Sequence, residues 1–285
     1  MGYQVVTYEP PKPEEAKQII YLAVESGLPA LPIVAHKRDG DSVRHALEVV
    51  GHTIGTACIY GTETQFLASS NWVPDFLAND DQRGSYKLFT LSDSEMPDLT
   101  KVSIRTAPDL PPGLEADLWN VVVPYPKQVL LTGEQAVVKS QELLKTAWRT
   151  CLGGDPPRGL CLRTFLVESN EFKIDLPKRE VPPSLRLLQL LRGKPMPRYI
   201  WVTEVSNFAD RELRSPREIR VSGTIIVDAA SQADTLDFVA LHLHGFLMHM
   251  KPDEKVADNA FNERIQLPDE RVYSPFWRRG GHESP

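Results

Sequence analysis

The chain has 285 residues, of which 41% are hydrophobic and 25% charged, a balance that supports a sizeable core and excludes a disordered or collagen-like chain. The formal net charge is −6 and it is unevenly spread: residues 1–110 hold 9 basic and 15 acidic side chains, whereas residues 111–285 hold 23 of each. The overall sign argues against non-specific binding to duplex DNA, although residues 178–220, with 10 basic and 5 acidic side chains, form a local polyanion-contact candidate.

The first element is a helix. Pro13 suits the first helical position, Glu14 and Glu15 suit its positive end, and Gly27 suits the stop, with Ala16, Ile19, Ile20 and Ala23 as the buried stripe. Leu31–Ala35 reads as a short buried strand. Asp41 or Ser42 is placed to cap a second helix reaching Ile54, with Val43, Ala46, Leu47, Val50 and Ile54 turned inward. Thr56–Tyr60 reads as another strand, Thr62 opens a third helix that Pro74 interrupts, and Tyr86–Leu91 and Val102–Thr106 are further strands. Strand, helix and strand with short joins predict a small parallel-type α/β unit over residues 1–106.

Residues 107–125 form a proline-rich connection, with Pro108, Pro111 and Pro112 at its start and a strand expected at Asn120–Val123. An α+β unit with a largely antiparallel sheet is expected over 126–250. Thr132 and Gln135 have the spacing of a capping box for a helix ending near Gly153 and Gly154. Leu160–Val167 is strand-like, Ser184–Arg192 is a short helix, and Tyr199–Val205 is rich in β-branched and aromatic residues. In Ile219–Asp228, Ile219, Val221, Ile225 and Val227 alternate with Arg220, Ser222, Thr224 and Asp228, which predicts one dry and one wet face.

The apolar residues Leu236, Val239, Ala240, Leu243, Phe246, Leu247 and Met250 fit a helical stripe, with Asp234 as cap and Pro252 beyond the end. On a helix His242 and His244 diverge, and His242 and His249 stand roughly 10 Å apart along the axis. No shared metal site is therefore expected. Residues 251–285 form a C-terminal tail, whose Tyr273, Phe276, Trp277, Arg278 and Arg279 are expected to fold back on the body.

Neither a secretory leader nor a membrane span is expected. Met1 to Lys17 is polar, Val6 stands where a myristoylation signal needs Ser or Thr, and Phe238–Met250 is too short to cross a bilayer. Cys58, Cys151 and Cys161 are odd in number and widely spaced, which fits thiols in a reducing, cytoplasmic setting.

The chemistry-bearing candidates are dispersed. Lys37, Arg38 and Ser42, with Thr62 at the next expected strand-to-helix junction, are placed to hold a phosphorylated or nucleotide ligand, because helix N-termini favour anions. Phe208, Arg211, Arg214, Arg217 and Arg220 form a candidate contact for an acidic protein or for RNA or single-stranded DNA. Glu204 and Asp228 are candidate acids at strand positions. No GxSxG, HExxH, EF-hand or kinase signature is present, no catalytic residue is assigned, and no metal or other cofactor is expected. The expected role is a cytoplasmic binding or assembly protein with a protein partner or a second copy of itself. A small-ligand enzyme or sensor is the first alternative and nucleic-acid binding the second.

Overall fold

The structure is a computed structural model that describes residues 2–9, 12–38, 41–53, 55, 65–82, 84–94, 99–151, 154–170, 196–207, 221–232, 236, 239–243, 246–250 and 261–266. Its contacts divide the chain into two units, Met1–Gly61 with Ala68–Lys127, and Thr62–Leu67 with Gln128–Pro285.

The first unit opens with strand β1 (Tyr3–Tyr8) and helix α1 (Pro13–Glu25). Pro13 begins the helix as its fixed φ allows, and Gly27, at φ 66°, ends it. Leu28 N–H donates to Ala23 O at 2.9 Å and Gly27 N–H to Val24 O at 3.0 Å, which is the Schellman stop. Strands β2 (Leu31–Arg38), β3 (Asp41–Ala46) and β4 (Glu48–His52) follow. After β5 (Phe66–Ala68) come a single 3-10 turn at Ser69–Trp72 and strands β6 (Phe76–Asp80), β7 (Gly84–Asp93), β8 (Thr100–Arg105) and β9 (Leu114–Pro126).

Every strand pair of this sheet is antiparallel. The order is β3-β2-β9-β8-β7-β6-β4, with β1 added on β9. Because β3 and β4 are one ribbon interrupted only at Leu47, the two ends of that order are the same piece of chain. Leu47 N–H donates to Pro32 O at 3.0 Å and Val49 N–H to Ala30 O at 2.8 Å, so the ribbon binds β2 on one side and β6 on the other. The sheet thus closes on itself, which removes the exposed edges an open sheet would leave. Val34, Leu47, Val49, Phe76, Phe89, Val102, Ile104 and Leu118 line its inner face, all at 3% exposure or less. Helix α1 packs against β4, β7, β8 and β9 and is buried over most of its circumference.

In the second unit, helix α2 (Gly133–Cys151) precedes a run of strands: β10 (Leu160–Glu168), β11 (Tyr199–Asn207), β12 (Val221–Asp228), β13 (Val239–Leu243), β14 (Phe246–Met250) and β15 (Phe261–Gln266). Each consecutive pair from β10 to β15 is antiparallel, and β5 lies beside β10 at the other end. The expected capping box is present: Gln135 N–H donates to Thr132 Oγ1 at 3.4 Å, and Thr132 N–H donates to Gln135 Oε1 at 2.9 Å. Ala136, Val137, Ser140, Leu143, Leu144 and Ala147 form the buried stripe of α2, which packs against β10, β11 and β12. Ser140 and Thr164 both hydrogen-bond the Thr203 hydroxyl, at 2.8 and 2.9 Å, and Trp201 Nε1 donates to Leu131 O at 2.9 Å.

The expected mixed α/β and α+β architecture is therefore corrected. Both units are built mainly of antiparallel strands, and α1 and α2 are the α-helices among the described residues. The helix expected over 41–54 is the β3–β4 ribbon, so the strand–helix–strand succession expected after Leu31 has strands in place of its helix among the described residues. The helix expected over 234–250 is replaced by β13 and β14, paired from Val239 opposite Met250 to Leu243 opposite Phe246. Where its side chains are described, β12 lacks the expected wet face: Thr224 and Asp228 are buried along with Ile225, Ile226 and Val227. Thr56–Tyr60, Ser184–Arg192 and the aromatic–basic tail lie outside the described residues.

Candidate functional site

The first polar constellation is built on α1. Lys17, Tyr21 and Glu25 recur at four-residue steps and so share one side of the helix. His52, at the end of β4, meets two of them: its Nε2 lies 2.7 Å from Glu25 Oε1, and its ring centroid is 5.0 Å from that of Tyr21. His52 Nδ1 lies 3.2 Å from Thr53 O. The Thr53 hydroxyl in turn donates to Asp75 O at 3.0 Å. Asp75 Oδ1 accepts from Arg105 at 3.2 Å and from the Thr90 hydroxyl, and Arg105 also donates to Thr90 at 2.9 Å.

Lys17 is 2% exposed, and that burial pulls its pKa below the ordinary lysine value, while Asp75 and then Glu14 act in the opposite direction. A desolvated lysine on the same side of a helix as a histidine–carboxylate pair supplies residue types found in catalytic centres. The geometry assigns them other work. Both nitrogens of His52 face oxygens of the protein itself, and Lys17 is sealed from solvent, so neither presents an atom to an incoming ligand. The constellation fastens α1 to β4 and to the chain entering β6.

A second group stands where the β3–β4 ribbon leaves β6. Glu48 pairs with Asn79, so His45, three residues before Glu48, and Asp80, one after Asn79, flank the point of divergence. His45 Nε2 lies 3.1 Å from Asp80 Oδ1 and 3.5 Å from Asp81 Oδ1. The Gln82 N–H donates to Asp80 Oδ1 at 2.8 Å and fixes that carboxylate. His45 and Asp80 are buried, whereas Asp81 is open to water. The donor atoms of the three residues all lie within 4.8 Å of one another, a set compatible with a divalent metal ion.

In the second unit Glu204 accepts from Arg163 at 3.0 Å across β10 and β11, and the two side chains are nearly buried. Asp228 Oδ1 accepts the Ala230 N–H at 2.7 Å, so it shapes the turn after β12. Glu204 stands opposite Thr224 and Asp228 opposite Ile200, which separates the two acids by four residues along the sheet, roughly 13 Å. They do not form a carboxylate pair. His242 stands at the register position opposite Thr224, two strands from Glu204.

Of the ligand candidates, Lys37 pairs with Ser42 and Arg38 with Asp41 in the ladder between β2 and β3. No helix begins there, so the expected anion-favouring helix N-terminus is absent from that place. Thr62, Phe208, Arg211, Arg214, Arg217 and Arg220 lie outside the described residues. The His45–Asp80–Asp81 group was not anticipated, because a strand reading of 41–46 is needed before His45 turns inward. The signal that would have found it is the alternation Val43, His45, Leu47, Val49.

Comparison with protein-family models, with curated proteins and with solved structures finds no match to this chain. Among the described residues no helix is long and apolar enough to cross a membrane.

Proposed function

We propose that the protein is a cytoplasmic binding protein that works as a subunit of an assembly, and that a second copy of the chain is the partner of its first unit. One observation carries this reading. The outward patch where β1, the end of β9 and the start of β2 lie side by side carries no Lys, Arg, His, Asp or Glu, the nearest acid being Asp117 opposite Ala35: Tyr3 and Val5 are 61% and 65% exposed, and the register sets Val5 beside Pro124 and Val122 between Thr7 and Leu31. Ile33, opposite Asn120, continues the same face. Contiguous apolar surface of this kind is retained chiefly for contact.

The chain is acidic overall, so two copies repel at long range. A face without charge lets them meet with no like charges opposed at the contact. The reading also agrees with the polar groups described above, which are turned to internal pairing. The buried thiol of Cys161 fits a reducing compartment.

Light scattering across a concentration series tests the proposal. The wild-type chain is expected to dimerise, and Val5→Glu to be monomeric but folded, since Val5 is a surface side chain, with a melting temperature that, unlike the wild type's, does not rise with protein concentration. A wild-type chain that stays monomeric at high concentration, or a Val5→Glu dimer as tight as the wild type, rejects this face as the contact.

A further inference from the structure

From the geometry of His45, Asp80 and Asp81 we infer that the first unit holds a divalent transition-metal ion, with zinc as its representative, at the closure of the barrel. The inference is independent of self-association through β1, β9 and β2.

The donor set is one imidazole nitrogen and two carboxylate oxygens, which suits a borderline cation; magnesium and calcium take oxygen donors instead. In a tetrahedral zinc site with bonds of about 2.0–2.2 Å, neighbouring donor atoms stand about 3.3–3.6 Å apart. The separations of 3.1 and 3.5 Å from His45 Nε2 to the two carboxylate oxygens are close to those edges. An ion placed among them replaces the proton through which the imidazole now approaches Asp80.

The site is built rather than fortuitously crowded. His45 is carried by β3 with its side chain 9% exposed, and the Asp80 side chain is fully buried at the end of β6. Both therefore stand in single orientations, and the Gln82 N–H fixes Asp80 further. Preorganised donors of this kind lose little freedom on binding. Asp81 is 80% exposed, which supplies both the entry path and a solvent side where water completes the coordination. The ion would also join the ribbon to β6 where the two diverge, since His45 lies on the part paired with β2 and Asp80 on the strand paired with β4. The expected consequence is structural: the metal holds the seam closed.

Isothermal titration of the metal-stripped full chain with zinc tests this, alongside melting temperatures with and without zinc. One zinc ion per chain is expected, with a rise in melting temperature. Because Asp81 is a surface residue, Asp81→Asn is expected to fold as the wild type and to bind at least about tenfold more weakly. His45→Gln is expected to abolish both the binding and the zinc-dependent rise. Absence of stoichiometric binding overturns the inference. So does binding that either substitution leaves unchanged, because the ion would then sit on other histidines. A magnesium titration giving the same affinity as zinc would also overturn it, since the imidazole would then be no ligand.

Discussion

Glu25, in the last turn of α1, and His52, at the end of β4, meet at 2.7 Å although 27 residues separate them. The contact is sheltered, with side chains 10% and 9% exposed, and the Tyr21 ring covers the imidazole. Glu25→Ala leaves a buried imidazole nitrogen without its acceptor. The expected loss of stability is about 2–4 kcal/mol, read from urea unfolding midpoints. Combining it with His52→Ala should cost clearly less than the two single losses added, because the pair acts as one fastening. Strict additivity would show that the two side chains do not support one another.

Lys17 lies on the same side of α1 and sets a pH dependence of its own. Its folded-state pKa is lowered by burial, so below that lowered value both folded and unfolded chains carry the proton and the folded state bears the full cost of a sheltered ammonium. Between the lowered value and the ordinary 10.5, the unfolded chain still binds a proton that the folded chain has shed, and stability rises with pH. Lys17→Met, which keeps the length and removes the charge, is expected to be more stable than the wild type by about 1 kcal/mol at pH 7. That advantage should shrink as pH climbs towards 10.5. Unfolding midpoints of both proteins at several alkaline pH values check the trend; a constant or widening gap contradicts it.

The helices were legible because their signals are local. Pro13 and Gly27 mark α1, and Thr132 with Gln135 marks α2. Strands 160–168 and 199–207 were legible from their β-branched and aromatic runs. What misled was histidine. In Val43, His45, Leu47, Val49 and again in Val239, Leu241, Leu243, the intervening or following histidines break an apolar pattern, and helical spacing then fits better. Yet His45 is an interior residue satisfied by Asp80, 35 positions away, a partner that only the folded sheet brings near. The dipeptide Asp39-Gly40, between residues that pair as Arg38 and Asp41, was the overlooked hairpin signal. The Lys17, Tyr21, Glu25 repeat was visible as spacing, but its meaning depended on where β4 ends.

The capping box offers a separate, modest test. Thr132→Ala removes the hydroxyl that accepts the Gln135 N–H and leaves that donor to solvent. A loss of about 1 kcal/mol is expected, and Thr132→Ser should recover most of it. Equal stability of the alanine and serine variants in denaturant would show that the helix start is held by packing instead.

Thr203 is the centre of a buried hydroxyl chain that ties α2 to the sheet. Its Oγ1 lies 2.8 Å from Ser140 Oγ and 2.9 Å from Thr164 Oγ1, and all three residues are at most 2% exposed. Thr203→Val preserves the shape and β-branching but removes the shared partner. Ser140 can turn its hydroxyl back to the carbonyl four residues earlier in the helix, whereas Thr164, on a strand, has no such local acceptor. The net loss is therefore expected to come mostly from Thr164 and to amount to about 1–2 kcal/mol. Adding Thr164→Val to Thr203→Val should return part of that loss, because it removes the stranded hydroxyl along with its missing partner. Denaturant unfolding of the single and double variants decides it: a double variant weaker than Thr203→Val alone would mean that the Thr164 hydroxyl has found another partner, and that the chain of three does not act as a unit.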